Sequence, residues 1–300
     1  MLKPVVFVVS AVVAVALAGC TGPQPDNTED GVLRVVASTN VYGDIAASVG
    51  GDDVEITSII DDPSQDPHQF EANARVQLAL SRADVVIENG GGYDDFVGTM
   101  LAASGNDAAA VVNVVDLSGH DADADGFNEH VWYDYPTVAA LADVLADAFA
   151  AIDPDGTAAY AANAAALVTE IDDGLVGHEI SLAERFAGAG VIITEPVPLY
   201  VLDAIGLENR TPPEFSEAIE DDTDIPPTLM QRVLDLIGDG SVALVVYNAQ
   251  TGGPQTDAVL DAAAEAGIPA VAVSETVPAG TGYLLWQHRV LDDIEGALVS

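Results

Sequence analysis

The sequence predicts an α/β protein with two lobes, each a mainly parallel sheet flanked by helices, joined by one long linking helix. From Leu33 onward, short runs rich in β-branched residues alternate with longer alanine-rich stretches, a pattern typical of parallel βαβ units. A long helical pattern divides these runs into two groups. The 300 residues, 49% of them hydrophobic, are enough for two ordinary α/β domains, or one large one, to fold without disulfide bonds.

The amino terminus, residues 1–19, is predicted to be a lipoprotein signal peptide. An apolar run follows Lys3 and ends in Leu17-Ala18-Gly19-Cys20, which resembles a bacterial lipobox. The run is short for a transmembrane helix, which needs about 20 apolar residues. The resemblance implies cleavage before Cys20 and lipid attachment to its sulfur; the alternatives are an uncleaved anchor or a buried cysteine. Cys20 is the only cysteine, so no intrachain disulfide can form, and residues 20–31 are predicted to be the lipidated cysteine and a flexible tether.

The two lobes are predicted to comprise residues 32–152 and 189–300. Residues 153–188 are predicted to form the linking helix, in which Gly174 and Gly177 cost about 1 kcal/mol each relative to alanine without preventing helix formation. Another helix is predicted at 137–153. The candidate strands are 33–39, 54–60, 83–89 and 110–116 in the first lobe, and 190–195, 242–248 and 269–275 in the second.

The chain is strongly acidic. It has 49 Asp and Glu residues against 8 Lys and Arg residues, a formal net charge of -41. This charge repels nucleic acid phosphates and anionic headgroups, so no nucleic acid partner is expected, and cations are the natural ligands. Similar acidity occurs in proteins adapted to high salt or kept soluble outside the cell, so the charge alone does not identify a ligand.

Four candidate ligands follow predicted strands, two in each lobe: His68, His130, Glu195 and Glu275. In open parallel sheets, binding sites form beyond the carboxyl ends of the strands. Two imidazoles and two carboxylates facing each other across a cleft can bind a first-row metal ion. Pro67 restrains His68, which lowers the entropy lost on binding. Taken singly, a loop histidine is more often a surface group, and a strand-end glutamate is more often a helix cap or a solvated charge.

Five stretches of the chain carry a resemblance to a known family. They are DPHQFE (66–71), SRADVVIENGGGYDDFV (81–97), EHVWYDYP (129–136), VIITEPVPLYVLDAIGLEN (191–209) and VAVSETVP (271–278). They resemble the metal-binding solute-binding lipoproteins of zinc and manganese ABC transporters, the adhesin-like cluster A-I family. The resemblance runs in order from about Leu33 to the carboxyl terminus. It implies two α/β lobes, a rigid linking helix and one divalent ion in the interlobe cleft.

The resemblance also implies the ligands. His68 matches the histidine of the family's Asp-Pro-His motif, and His130 matches that of His-Val-Trp. Glu195 falls on the third ligand, which is His in many zinc-type members and Glu in manganese-type members. Glu275 falls on the fourth, usually Asp, and its extra methylene leaves its coordination mode open. The chain departs from the family at Asn128-Glu129, where Asp-Pro is usual, and in the two prolines of TEPVPLYV.

The Asp-rich segment 120–130, HDADADGFNEH, occupies the position of a His-rich loop in zinc-type relatives. Asp121, Asp123 and Asp125 have calcium-loop spacing, but Trp132 stands where a full EF-hand needs a bidentate Glu, so an EF-hand is excluded. A weak cation-collecting role, a calcium site and a plain solvated loop are the alternatives. The remaining histidines, His178 and His288, are interpreted as surface or packing residues, and 247–256 as a strand-to-helix turn that lines the cleft.

The family resemblance implies an extracytoplasmic protein, lipid-anchored to the cell membrane, that captures Mn²⁺ or Zn²⁺ and delivers it to the permease of an ABC importer with a cytoplasmic ATPase. Two His and two carboxylates form a harder ligand set than three His, which favours manganese, although zinc binds more tightly to almost any such site. We expect a monomer and no enzymatic activity. The alternatives are a metal-dependent hydrolase, which needs an open coordination position and a spare general base, and a surface adhesion lipoprotein.

Overall fold

The computed structural model of the chain describes residues 31–62, 70 and 73–299. In this part of the chain, two four-stranded parallel sheets flanked by helices confirm the α/β class predicted from the sequence. The predicted signal peptide, Cys20 and His68 lie outside the described residues.

The first sheet has the strand order β2-β1-β3-β4, with every pair parallel. Its inner strands are buried on both faces, as expected for a parallel sheet covered by helices. The strands are β1 (Leu33–Thr39), β2 (Val54–Ile60), β3 (Val85–Glu88) and β4 (Ala110–Asn113). The helices are α1 (Asn40–Gly50), α2 (Ala74–Leu80), α3 (Phe96–Ser104) and the short α4 (Val115–Ser118).

Three helices connect the first sheet to the second: α5 (Tyr135–Ile152), α6 (Thr157–Glu170) and α7 (Gly177–Phe186). A π-helical segment, Ile171–Val176, joins α6 to α7, so the helix runs on through Gly174. A Cβ at Gly174 would lie 3.0 Å from the His288 ring, so this glycine allows close packing of another helix. One buried stripe at helical spacing follows the whole segment: Tyr160, Ala164, Leu167, Ile171, Leu175, Glu179 and Leu182.

The second sheet repeats the topology of the first, with the order β6-β5-β7-β8 and parallel pairing throughout. Helices α9, α10 and α11 each begin with a proline, whose fixed φ and missing N–H suit the first helical position. The strands are β5 (Gly190–Ile193), β6 (Glu208–Asn209), β7 (Leu244–Asn248) and β8 (Ala270–Val273). The helices are α8 (Leu199–Ile205), α9 (Pro213–Glu220), α10 (Pro227–Gly238), α11 (Pro254–Ala266) and α12 (Tyr283–Val299).

A continuous hydrophobic core joins the two lobes. Alternate strand residues, such as Val35 in β1 and Val191 in β5, face this shared core. The residues between them, such as Val36 and Ile192, face separate outer clusters. The described lobes are therefore packed against a common interior.

Hydrogen bonds also cross directly between the lobes. The side-chain amide of Asn40 donates to the Val277 carbonyl at 2.9 Å, and the Val277 N–H donates back to Asn40 Oδ1 at 2.9 Å. The Tyr283 N–H donates to Asp44 Oδ2 at 2.7 Å. Just beyond the carboxyl end of β8, the Tyr133 hydroxyl donates to the Ser274 carbonyl at 2.8 Å. These bonds fix the separation of the lobes around the cleft.

Candidate metal centre

The carboxyl ends of strands from both sheets meet at one buried polar site. Glu195 follows β5 by two residues, Glu275 follows β8 by two residues, and Asn248 ends β7. From the first lobe, His130 immediately precedes a 3₁₀ turn, Val131–Tyr133, that leads into α5. The convergence follows from the parallel topology, since all strands of such a sheet point to the same edge.

Asn248 holds the two glutamates together. Its Nδ2 donates to Glu195 Oε2 at 2.7 Å and to Glu275 Oε1 at 2.8 Å, one N–H for each carboxylate. The Thr251 hydroxyl donates to the other oxygen of Glu195. Glu195 and Glu275 are only 2% and 1% exposed. The side-chain amide therefore places two acidic groups side by side in a buried position, where a cation would offset their repulsion.

His130 presents one ring nitrogen to these carboxylates. Its Nδ1 lies 2.6 Å from Asn128 Oδ1, and since an amide oxygen can only accept, Nδ1 carries the proton. Nε2 then keeps its lone pair, which is the form that binds a metal ion. Nε2 lies 4.0 Å from Glu275 Oε2, and the ring is fully buried. Asn128 occupies the position at which the sequence departs from the family pattern, and it orients the imidazole.

Asn128 also ties the histidine loop to the second lobe. Its Nδ2 donates to the Pro196 carbonyl at 3.1 Å, and the Tyr200 hydroxyl donates to the Asn128 carbonyl at 2.6 Å. Pro196 directly follows Glu195, so the segments that carry one candidate ligand from each lobe are joined by hydrogen bonds.

Tyr93 contributes a hydroxyl from the first lobe. Its OH donates to Glu275 Oε2 at 3.1 Å, and burial raises the tyrosine pKa well above its usual value, so the hydroxyl keeps its proton. Three consecutive glycines at positive φ, residues 90–92, form the turn that brings Tyr93 to the site.

Glu220 is a further glutamate at the site, and the sequence patterns did not identify it. It ends α9, and its Oε1 lies 3.6 Å from His130 Nε2. Burial, followed by the charges of Glu129, Glu195 and Glu275, raises the pKa of Glu220 to about 9. The ligand atoms of Glu129, His130 and Glu220 lie within 4.8 Å of one another, which makes them a group able to hold a metal ion among the described residues.

Three of the four candidate ligands from the sequence, His130, Glu195 and Glu275, thus lie together, and His68 lies outside the described residues. The predicted strand-to-helix turn at 247–256 does line this site, because Asn248 and Thr251 bond to the glutamates. In the Asp-rich loop, the Asp121, Asp123 and Asp125 side chains are exposed and do not form a group of ligand atoms like that of Glu129, His130 and Glu220.

His178 and His288 lie away from the site. His178 Nε2 lies 3.1 Å from Glu295 Oε2, and His288 packs beside Gly174.

A sequence comparison identifies the family. The profile of the family described as zinc-uptake complex component A, periplasmic (ZnuA), matches residues 35–297. The chain belongs to the ZnuA family. The match begins in β1 and ends in α12, so it includes both sheets and every site residue named above.

Two lipoproteins described as manganese proteins are also similar in sequence. The manganese-binding lipoprotein MntA of Halalkalibacterium halodurans is 25% identical over 242 residues, which cover 75% of this chain and 79% of that protein. The manganese ABC transporter substrate-binding lipoprotein PsaA of Streptococcus pneumoniae is 27% identical over 170 residues, covering 53% of this chain and 54% of PsaA. The match thus spans about half the length of the pneumococcal relative.

Solved structures share the fold. A crystal structure of ZnuA superposes with a TM-score of 0.73 at 18% identity, covering 89% of this chain and 99% of that one. A laminin-binding adhesin (Lmb) from Streptococcus agalactiae gives a TM-score of 0.74 at 17% identity, with the same coverage of both chains.

Proposed function

We propose that this protein captures a divalent transition metal ion, Mn²⁺ or Zn²⁺, outside the cytoplasm and delivers it to the membrane permease of an ABC importer. Membership in the ZnuA family makes the chain a metal-binding solute-binding protein of such a transporter. The cytoplasmic ATPase of the importer would then drive transport, and the present chain supplies the receptor step.

One observation from the structure carries this proposal most strongly. Nε2 of the buried His130 imidazole lies 4.0 Å from the buried Glu275 carboxylate, and Asn248 holds a second carboxylate beside the first. Both carboxylates are almost fully buried, with 2% of Glu195 and 1% of Glu275 exposed. A cation bound between these groups would lower the free energy of placing them in the interior.

The proposed ligands are His68, His130, Glu195 and Glu275. The oxygen-rich composition of this set favours manganese, and the relatives MntA and PsaA are both described as manganese proteins. Zinc is the alternative, since it binds histidine and carboxylate ligands well in tetrahedral geometry and since the family takes its description from zinc uptake.

We further propose that Cys20 carries the lipid, which holds the mature chain at the outer face of the cell membrane. The chain is proposed to act there as a monomer. The description of the two relatives as lipoproteins supports this placement. Globomycin treatment of expressing cells would lead to accumulation of the unprocessed precursor. A Cys20→Ala variant should likewise accumulate as the uncleaved precursor, because it lacks the sulfur that accepts the lipid.

Metal capture is tested with the soluble chain from residue 21 onward. Metal content is measured after purification without added metal, and affinities are measured by competition at buffered free Mn²⁺ and Zn²⁺. His130→Ala is expected to abolish tight binding, whereas His288→Ala, a partly exposed histidine on α12, serves as the matched control and keeps it. A wild-type protein that binds neither ion would overturn the proposal. Hydrolysis of a supplied substrate by the metal-loaded protein would favour the hydrolase alternative, and metal-independent binding to host matrix would favour the adhesion alternative.

A further inference from the structure

We propose that Glu220 is an additional oxygen ligand of the captured ion and that it increases the preference of the site for manganese over zinc. The inference rests on the proposed function, because it concerns the same ion. The family resemblance implies four ligands. Glu220, which lies at the end of a helix, would be an additional one.

The position of Glu220 is fixed by the way α9 ends. The Thr223 N–H donates to the Ala218 carbonyl at 2.9 Å, and the Asp222 N–H donates to the Ile219 carbonyl at 3.1 Å. These two bonds form a Schellman motif, in which the residue after the cap adopts the left-handed conformation. Asp222 does so with φ of 48°, a position that Asp tolerates better than most residues. The last helical residue, Glu220, is therefore held in a defined place.

The distances suit shared coordination. Two donors that each lie about 2.1 Å from one ion are about 3 Å apart at a right angle and about 3.4 Å apart at the tetrahedral angle. Glu220 Oε1 lies 3.6 Å from His130 Nε2, too far for a hydrogen bond and close to the separation of two ligands of one ion. Glu275 Oε2 lies 4.0 Å from the same nitrogen, which corresponds to a wider angle at the ion.

Among the candidate ligands His130, Glu195, Glu220 and Glu275, Glu220 is also the one nearest to solvent. Its side chain is 14% exposed, whereas those of His130 and Glu275 are 0% and 1% exposed. It lines a cavity of about 290 Å³ together with Gln250 and Thr251, and a second of about 260 Å³ on the side of Asn128. An arriving ion would therefore reach this carboxylate first, before the fully buried ligands.

A third glutamate changes which metal the site prefers. Glu195, Glu220 and Glu275 together provide three carboxylates, and hard oxygen donors in a shell of more than four ligands suit manganese. Zinc is satisfied by four ligands, so it gains less from a fifth. The contribution of Glu220 should therefore appear mainly in the manganese affinity.

The test compares Glu220→Gln with wild type and with Glu217→Gln, a control that removes an exposed charge from the same helix. Dissociation constants for Mn²⁺ and Zn²⁺ are measured by competition, and the manganese shell is examined by X-ray absorption. We expect Glu220→Gln to weaken manganese binding about tenfold relative to zinc, equivalent to about 1.4 kcal/mol, with one fewer oxygen in the shell. Glu217→Gln should leave both constants unchanged.

A manganese-loaded crystal structure of the wild type gives a result that does not depend on folding of any variant. A Glu220 oxygen within about 2.4 Å of the ion supports the proposal, and an ion bound by the other residues with Glu220 beyond about 4 Å overturns it. An unchanged ratio of dissociation constants in a folded Glu220→Gln protein also overturns it. If the wild type binds neither metal, the proposed function itself fails, which is a separate outcome.

Discussion

Glu179 makes the stability of the protein depend on pH in a way that one substitution should remove. It occupies a core position of the buried stripe that runs through α6, the π-helical segment and α7, between Leu175 and Leu182, and is 5% exposed. Burial, and then the charge of Asp134, raises the pKa of Glu179 to about 8 from a reference value of 4.5. The folded protein therefore holds this proton more tightly than the unfolded chain.

The sign and size of the effect follow from this difference. A raised folded-state pKa gives stability that is fully present below the unfolded value and is lost as pH rises through the folded value. Each pH unit between the two values changes the free energy of unfolding by about 1.36 kcal/mol. Glu179 should thus reduce the stability of the wild type by about 3 kcal/mol between pH 5 and pH 7.5. Glu179→Gln has no ionisable group at this position, so its free energy of unfolding should lack this pH-dependent contribution.

The assay is urea denaturation of both proteins at pH 5, 6 and 7.5, with chelator and constant salt. Other acidic groups also titrate in this range, but they contribute equally to both proteins, so the difference between the two free energies isolates Glu179. The unpaired amide of Gln adds a constant offset and leaves the slope unaffected. Glu184→Gln, an exposed position on the same helix, should follow the wild-type slope. If the Glu179→Gln curve ran parallel to that of the wild type, the reasoning that burial raises this pKa would be wrong.

Three further predictions concern the metal site. Manganese or zinc at a thousandfold excess over Kd should raise the unfolding free energy by about 4 kcal/mol, seen as a higher melting temperature than in chelator; calcium acting alone would point to the Asp-rich loop instead. Affinity should fall clearly between pH 7.5 and 5.5, since the proposed ligands His68 and His130 must be neutral and imidazole titrates near about 6.5; equal affinities in competition titrations would exclude histidine ligands. Glu195→His should keep or raise zinc affinity and lower manganese affinity, because it exchanges a charged oxygen donor for imidazole; an unchanged ratio of the two constants would place Glu195 outside the shell.

The sequence predicted the strands best where the hydrophobic pattern of the residues agrees with their burial in the structure. The strands at 33–39 and 54–60 form as predicted, because their β-branched residues favour extended backbone and the two strands pair in parallel along nearly their whole length. The run predicted as strand at 110–116 stops at Asn113 and turns into a short helix. The two-residue strand β6 was missed, since Glu208 and Asn209 carry no β pattern and are held in place by pairing with β5.

The sequence likewise predicted the positions of some site residues and missed others. The rule that binding sites form at strand ends predicted the positions of the candidate ligands Glu195 and Glu275, because strand geometry determines where the next residues lie. Glu220 was missed because it ends a helix rather than a strand and is one of several acids in its segment; only the packing of α9 distinguishes it from the exposed Glu217. Asn248 was placed in the cleft, but its bridging role depends on the order of the strands in the second sheet, which puts β7 between β5 and β8 and which no local pattern encodes.

The reciprocal hydrogen bonds between Asn40 and Val277, with the bond from Tyr283 to Asp44, also bear on how long an ion stays bound. Rotating the lobes apart as rigid bodies would break these bonds together and expose part of the shared core, so such opening is a rare event with a high activation barrier. The residence time of the ion would then be set by the frequency of a conformational opening, and two ions of very different affinity could leave at similar rates. A permease that docks across both lobes and favours the open form would shorten that lifetime without competing for the metal, so release would occur at the transporter and seldom in free solution.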